Sequence, residues 1–298
     1  MGSRNAKLAD SIQYPPIPSL LLTVPPILEL APTLLLAVYG LVALDYGILF
    51  FSRARERRRP TLALVAVWGL HLAYLVALGR ALGQLPAGIV PHVLSLVAFT
   101  LAGVYLLLEW WTGDRSTGFW TVLQVTGFQS LAVLLRGPVP AEHPYFREPL
   151  FGAHVFLALL GYTAFAVGAS YGFLFLSLYH ELKGRRFALF YGRLPPLQVL
   201  ERMMSGALVV GFLGLTGSLA TGMASMLSSG ASAAWVRDPM ILLTACTWLL
   251  YGAALLLRRA RQWQGRQTAL AALAGLVVIV GSLLVVGLML PGFHRPLS

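Results

Sequence analysis

The stretch His154–Leu176, HVFLALLGYTAFAVGASYGFLFL, decides the fold. It contains no Asp, Glu, Lys or Arg. A helix of about 20 such residues, rising ~1.5 Å per residue, crosses the ~30 Å hydrocarbon core of a bilayer. The stretch is the centre of one of eight apolar runs, at 28–51, 60–79, 90–109, 118–136, 152–178, 203–227, 239–257 and 267–291. Composition agrees. Of 298 residues, 57% are hydrophobic and 11% charged, where a soluble domain carries about 25% charge. The chain reads as an all-α polytopic membrane protein of about eight transmembrane helices. A tail, 1–27, precedes a single membrane domain, 28–298, with short loops.

The net charge of +11 reads here as topology rather than as nucleic-acid binding, because Lys and Arg collect in cytoplasmic loops. Five cations lie in Arg53–Arg59, one at Arg115, five from Lys183 to Arg202 and four in Arg258–Arg266, so 15 of 22 follow spans 1, 3, 5 and 7. Those loops are expected inside. Both termini, and the loops after spans 2, 4 and 6, are expected on the outer side. Met1–Pro25 lacks the apolar core and cleavage site of a signal peptide and reads as an outer tail at the lipid interface. The one cysteine, Cys246, lies in span 7. Without C-x-x-C or C-x-x-C-H the chain is neither a thiol oxidoreductase nor itself a c-type cytochrome. Glycine-rich phosphate loops, H-E-x-x-H and G-x-S-x-G are absent too. Small residues at Gly168 and Gly172, and at Gly214, Ser218 and Gly222, have the spacing of helix-packing faces.

Histidine placement carries the chemistry. His154 opens span 5 and His294 follows span 8, both at outer ends. His92 lies just inside span 3, His71 within span 2, and His143 in the outer loop; His180 alone lies inside. Neutral imidazole ligates haem iron, and two histidines from different helix ends can clamp a porphyrin. Position alone leaves His71, His154 and His294 open as ligands. Structural hydrogen bonding is the alternative for His71 and His92. Asp45 is the most deeply placed acid, whereas Glu29 and Glu109 sit near span ends and need no special role.

From span 5 onward the chain resembles a known family. The quoted stretch is followed by LPPLQVLERMMSGALVVGFLGLTGSLATG (Leu194–Gly222), by Trp235 and Asp238-Pro239, by TWLLYGA (Thr247–Ala253), and by GFH (Gly292–His294). This order is similar to that of the cytochrome c assembly family, which includes CcsA, CcmC and the HemX-type proteins, and the eight-span size looks most like the HemX-type branch. Residues 150–298 hold this core; the N-terminal half resembles the family through GLHLAYLVALGRALGQLP and VYLLLEW. The resemblance implies a membrane protein of the bacterial cytoplasmic membrane that binds haem b at its outer face. It implies His154 and His294 as iron ligands, and Trp235 and Asp238 in a tryptophan-rich haem loop. Arg237, Arg147 or Arg80 would meet the propionates, with His71 and His92 as weaker candidates. It also implies a partner, either another assembly protein or an apocytochrome. The departures are definite. Trp235 is the loop's one tryptophan, Arg237 replaces another, and Met240-Ile241 replaces a Lys-Glu pair. Leu256 stands where full-length synthases carry a histidine, which removes one ligand of a second, in-membrane haem. The rival readings are a HemX-type regulator or scaffold of haem biosynthesis, without catalysis, and a small-solute transporter. The transporter would need inverted repeats, which the sequence does not show.

Overall fold

The computed structural model describes residues 25–52, 60–87, 89–136, 148–185, 190–228, 239–261, 263 and 265–289. The tail Met1–Val24 lies outside the described residues, so nothing here bears on its expected place. Eight helices follow in order: α1 Pro26–Phe51, α2 Pro60–Leu82, α3 Val90–Thr112, α4 Gly118–Leu134, α5 Pro149–Lys183, α6 Leu197–Ser228, α7 Pro239–Ala260 and α8 Gly265–Met289. Each lies on one of the eight apolar runs. Six are long and apolar enough to cross a membrane; Gly118–Leu134 and the stretch Gly265–Gly281 are shorter apolar helices.

Proline marks the starts. It sits in the first two positions of α1, α3 and α5, and α2 and α7 begin on Pro60 and Pro239. A first-turn residue has no intrahelical use for its N–H, so proline costs nothing there. Gly113, at φ 72°, ends α3 in the left-handed conformation that glycine adopts without strain.

The helices pack as two rings. In the first, α1 touches α2, α2 touches α3, α3 touches α4, and α4 returns to α1. The second repeats the pattern, with α5 on α6, α6 on α7, α7 on α8, and α8 back on α5. Helix α3 joins them by lying against α5 and α6, and Thr100 donates to the Thr163 hydroxyl across that joint at 3.1 Å. Neighbours alternate in direction. One end of the bundle, the His154 end, carries the starts of α5 and α7 and the finish of α6. The other, the Glu109 end, carries the finish of α3 and the starts of α2, α4 and α6.

The most extensive interface is α5 on α6, and glycine makes it. A Cβ on Gly161 would stand 2.9 Å from the Leu215 nitrogen, and one on Gly214 would stand 3.0 Å from the Gly161 nitrogen. Both obstacles are backbone, which cannot swing away. At the Glu109 end the α5–α6 loop is tied down. The Glu181 carboxylate accepts the Phe190 and Tyr191 amides at 3.3 and 2.9 Å, and the Arg193 guanidinium lies 5.6 Å above the Phe51 ring.

Gly161→Leu is expected to lower the thermal midpoint of the detergent-purified protein, by an overpacking cost of about 1–3 kcal/mol. Gly127→Leu is the control, since nothing lies within 4 Å of a Cβ there, and its midpoint should not move.

Candidate functional site

His154 sits in the second turn of α5, at the bundle end where α6 finishes. Its ring is half-buried against α6. Nδ1 lies 2.8 Å from the Ser218 carbonyl oxygen and 3.1 Å from the Ser218 hydroxyl. A carbonyl only accepts, so Nδ1 carries the proton and donates. The lone pair of the neutral ring is therefore on Nε2. An N–H held by a backbone carbonyl is what orients a metal-ligating imidazole and raises its basicity. Gly222, one turn further along α6, makes the room: a Cβ there would come within 2.6 Å of Nδ1 and 2.8 Å of Cε1. The α6 small-residue row thus does more than pack helices. Ser218 orients the imidazole and Gly222 admits it, roles that spacing along one helix does not reveal.

Trp235, Arg237, Asp238, Arg147, His143 and His294 lie outside the described residues. Of the expected outer cluster, the structure therefore describes His154 and its seat on α6. Arg80 is exposed in the last turn of α2. His92 is half-buried at the start of α3, with no hydrogen-bond partner among the described residues.

His71 has a different setting. It is fully buried and belongs to a closed polar circuit. The Tyr39 hydroxyl lies 3.1 Å from Nδ1, and Nε2 lies 2.9 Å from the Ser95 hydroxyl. Ser95 donates its one proton to Gln129 Oε1 at 3.1 Å, and Gln129 Nε2 donates to the Pro32 carbonyl at 3.1 Å. Because the Ser95 proton is spent on Gln129, Nε2 must be the protonated nitrogen, and Tyr39 donates to Nδ1. Both ring nitrogens are committed. The circuit passes through α2, α3 and α4 and begins and ends on α1, so it fastens the whole first ring. Leu256, where the resemblance would set a second in-membrane ligand, is 70% exposed on α7, and among the described residues α7 makes no close packing with α2.

Glu109 corrects the expectation that it needs no special role. Among the described acids it alone is buried, at 3% exposure, while Asp45 is half-buried. Its carboxylate accepts from the Tyr46 hydroxyl at 2.7 Å and from the Thr61 hydroxyl, and pairs with Arg115 Nε at 3.4 Å. Partners 48 and 63 residues away in sequence brought this about, and span-end position gave no sign of it.

Residues 57–294 match the cytochrome C assembly protein family. Protein HemX of Bacillus subtilis (strain 168) is 27% identical over 240 residues, covering 79% of this chain and 86% of that protein. Cytochrome c biogenesis protein CcsA of Synechococcus sp. (strain CC9902) is 28% identical over 294 residues, 89% of this chain and 96% of the other. CcsA of Parasynechococcus marenigrum (strain WH8102) reaches 36% identity over 102 residues, 34% of this chain and 33% of that protein. The family match begins well upstream of residue 150 and takes in α2 to α8, three helices of the first ring and all four of the second.

His71→Ala leaves the Tyr39 and Ser95 hydroxyls without their ring partners. It should destabilise the protein by about 1–3 kcal/mol, read as a lower thermal midpoint in detergent. Tyr39→Phe combined with His71→Leu removes both halves of one bond and should recover part of that loss. Equal stability of His71→Ala and the parent protein would show that the circuit does not hold the ring.

Proposed function

The chain belongs to the cytochrome c assembly family, and on that footing we propose that it holds haem b at the outer face of the bacterial cytoplasmic membrane and presents it to a partner in cytochrome c maturation. The site is built from His154, His294 and the Trp235–Asp238 loop. The observation that carries the reading is the His154 seat: a ring fixed by the Ser218 carbonyl through Nδ1, with Nε2 as the nitrogen suited to iron. The chemistry of this donor fits haem. His71 does not fit, because both its nitrogens are already engaged, and in this reading it is structural. Trp235 offers a stacking face. Arg237, Arg147 and Arg80 offer charge-assisted hydrogen bonds to the propionates.

When bound, haem supplies the group that becomes attached to the cytochrome. The cysteines for attachment come from the apocytochrome, since the chain's own Cys246 is exposed on α7 among the apolar residues of a membrane helix. The chain contributes binding, orientation and a fixed histidine. We further propose that all eight helices cross the membrane. The first 27 residues then form an outer tail, 28–298 one membrane domain, and 150–298 the haem-holding part. The positive-charge distribution supports this orientation, and it sets the His154 end outward.

Topology is checked with reporters fused after Ser298 and at Gly184. The first should read as outside and the second as inside; the same side for both would sink the eight-span arrangement.

The site is checked by the absorption spectrum of protein purified from haem-replete cells. Two histidines on one iron give a six-coordinate, low-spin spectrum. His154→Gly or His294→Gly should shift the Soret band or lower haem occupancy, and added imidazole should partly restore the parent spectrum. His180→Gly, on the opposite side in this reading, should change nothing. A spectrum that depends on His71 and ignores His154 and His294 would move the haem into the bilayer and overturn the outer site.

A further inference from the structure

At the Glu109 end the joint between the two rings contains more polar groups than its hydrogen bonds use. Tyr105 of α3 and Tyr171 of α5 are buried, at 0% and 1% exposure. Neither hydroxyl has a hydrogen-bond partner among the described residues. The Tyr105 hydroxyl stands over Gly118 beside the Tyr46 ring, next to Glu109 but short of hydrogen-bond geometry with it, and within electrostatic reach of Tyr171. The Tyr171 hydroxyl lies next to Thr117 and Thr121, short of hydrogen-bond geometry with either, and within electrostatic reach of Glu109 and Asp114. Thr117 donates to the Met203 sulfur at 3.7 Å, so its oxygen lone pairs remain available. Groups from α3, α4, α5 and the α3–α4 loop therefore face one small region between the rings.

Such an arrangement is costly if dry. A buried hydroxyl without a partner loses its hydration and gains nothing in return. Phenylalanine would fill the same volume without that loss, and α5 uses it six residues before and four residues after, at the buried Phe165 and Phe175. What the hydroxyls add over phenylalanine is the capacity to donate. The acceptors in reach are the Glu109 carboxylate and the threonine oxygens.

We propose that this region is a water-binding site, in which bound water bridges the Tyr105 and Tyr171 hydroxyls to Glu109 and Thr117. A buried water makes two to four hydrogen bonds to polar groups that would otherwise be unsatisfied, and this region supplies donors and acceptors in that number. Charge selects water over a cation. Arg115 already lies 3.4 Å from the Glu109 carboxylate, and the Asp114 carboxylate accepts from the Ser116 amide and hydroxyl, so both acids are already engaged by the protein's own donors rather than open to an ion. The Arg115 side chain is 44% exposed, which puts the inner side of the site next to solvent. The joint between the rings is thus wet at the Glu109 end, while the His71 level of the first ring is closed by its own side chains.

The test uses the full chain in lipid nanodiscs, as the parent and as Tyr105→Phe, Tyr171→Phe and the double variant. A density map at a resolution that shows ordered water should contain water within hydrogen-bond distance of both hydroxyls in the parent, and that density should be lost in the double variant. The single variants should unfold at or below the parent temperature, because each takes a hydrogen bond from the network. Parent density without water at these hydroxyls overturns the proposal. So does a rise of several degrees in the thermal midpoint of both single variants, the sign expected when dry, unpaired hydroxyls are removed. A midpoint that rises with sodium or potassium chloride but not with choline chloride at equal ionic strength, and loses that response in Glu109→Gln, overturns it in favour of a cation.

Discussion

Lipid offers no hydrogen bonds, and this single constraint organises the molecule. The backbone meets it by forming helices. The polar side chains meet it by closing on one another, and the circuit from Tyr39 through His71, Ser95 and Gln129 to Pro32 is the fullest example. Each member donates once toward the next acceptor, and the end returns to the helix where it began. Four helices are tied by residues that would each be expensive alone. At the Glu109 end the same need is met with a charge, and at the His154 end with a backbone carbonyl.

The difference between His71 and His154 follows from how each was satisfied. His71 spends both nitrogens on side chains of its own ring. His154 spends Nδ1 on a main-chain oxygen of α6, whose position is set by the glycine contact between α5 and α6. An imidazole seated on the most extensive interface of the bundle is held with little freedom, which is the condition the proposed haem ligand would need. Gly222 is part of that seat as surely as Ser218, since any larger residue would meet the ring.

The helices were legible because hydropathy over some 20 residues is a strong signal in a bilayer, and all eight fall where the apolar runs lie. The packing role of Gly168, Gly172 and Gly214 was legible for similar local reasons. The partners of Glu109 were not. Its ligands come from α1, α2 and the α3–α4 loop, and only the closed ring brings Tyr46, Thr61 and Arg115 to one carboxylate. Nor does periodicity distinguish a glycine that admits a helix from one that admits a histidine, since Gly214 and Gly222 belong to the same row. The family resemblance singled out His154 from its neighbours in sequence; the carbonyl that fixes its tautomer came from the fold.

The repeated ring has a consequence for how the protein is made. A chain inserted from its N-terminus delivers α1 to α4 first, and the first ring is complete once Leu134 has left the ribosome. Gln129 then reaches back to Pro32 and closes the circuit before the helices of the second ring have emerged. N-terminal units generally fold first during synthesis, so α5 meets a finished wall, and its Thr163 docks on Thr100 of α3. The half that holds His71 is in this sense the template on which the half that holds His154 is assembled.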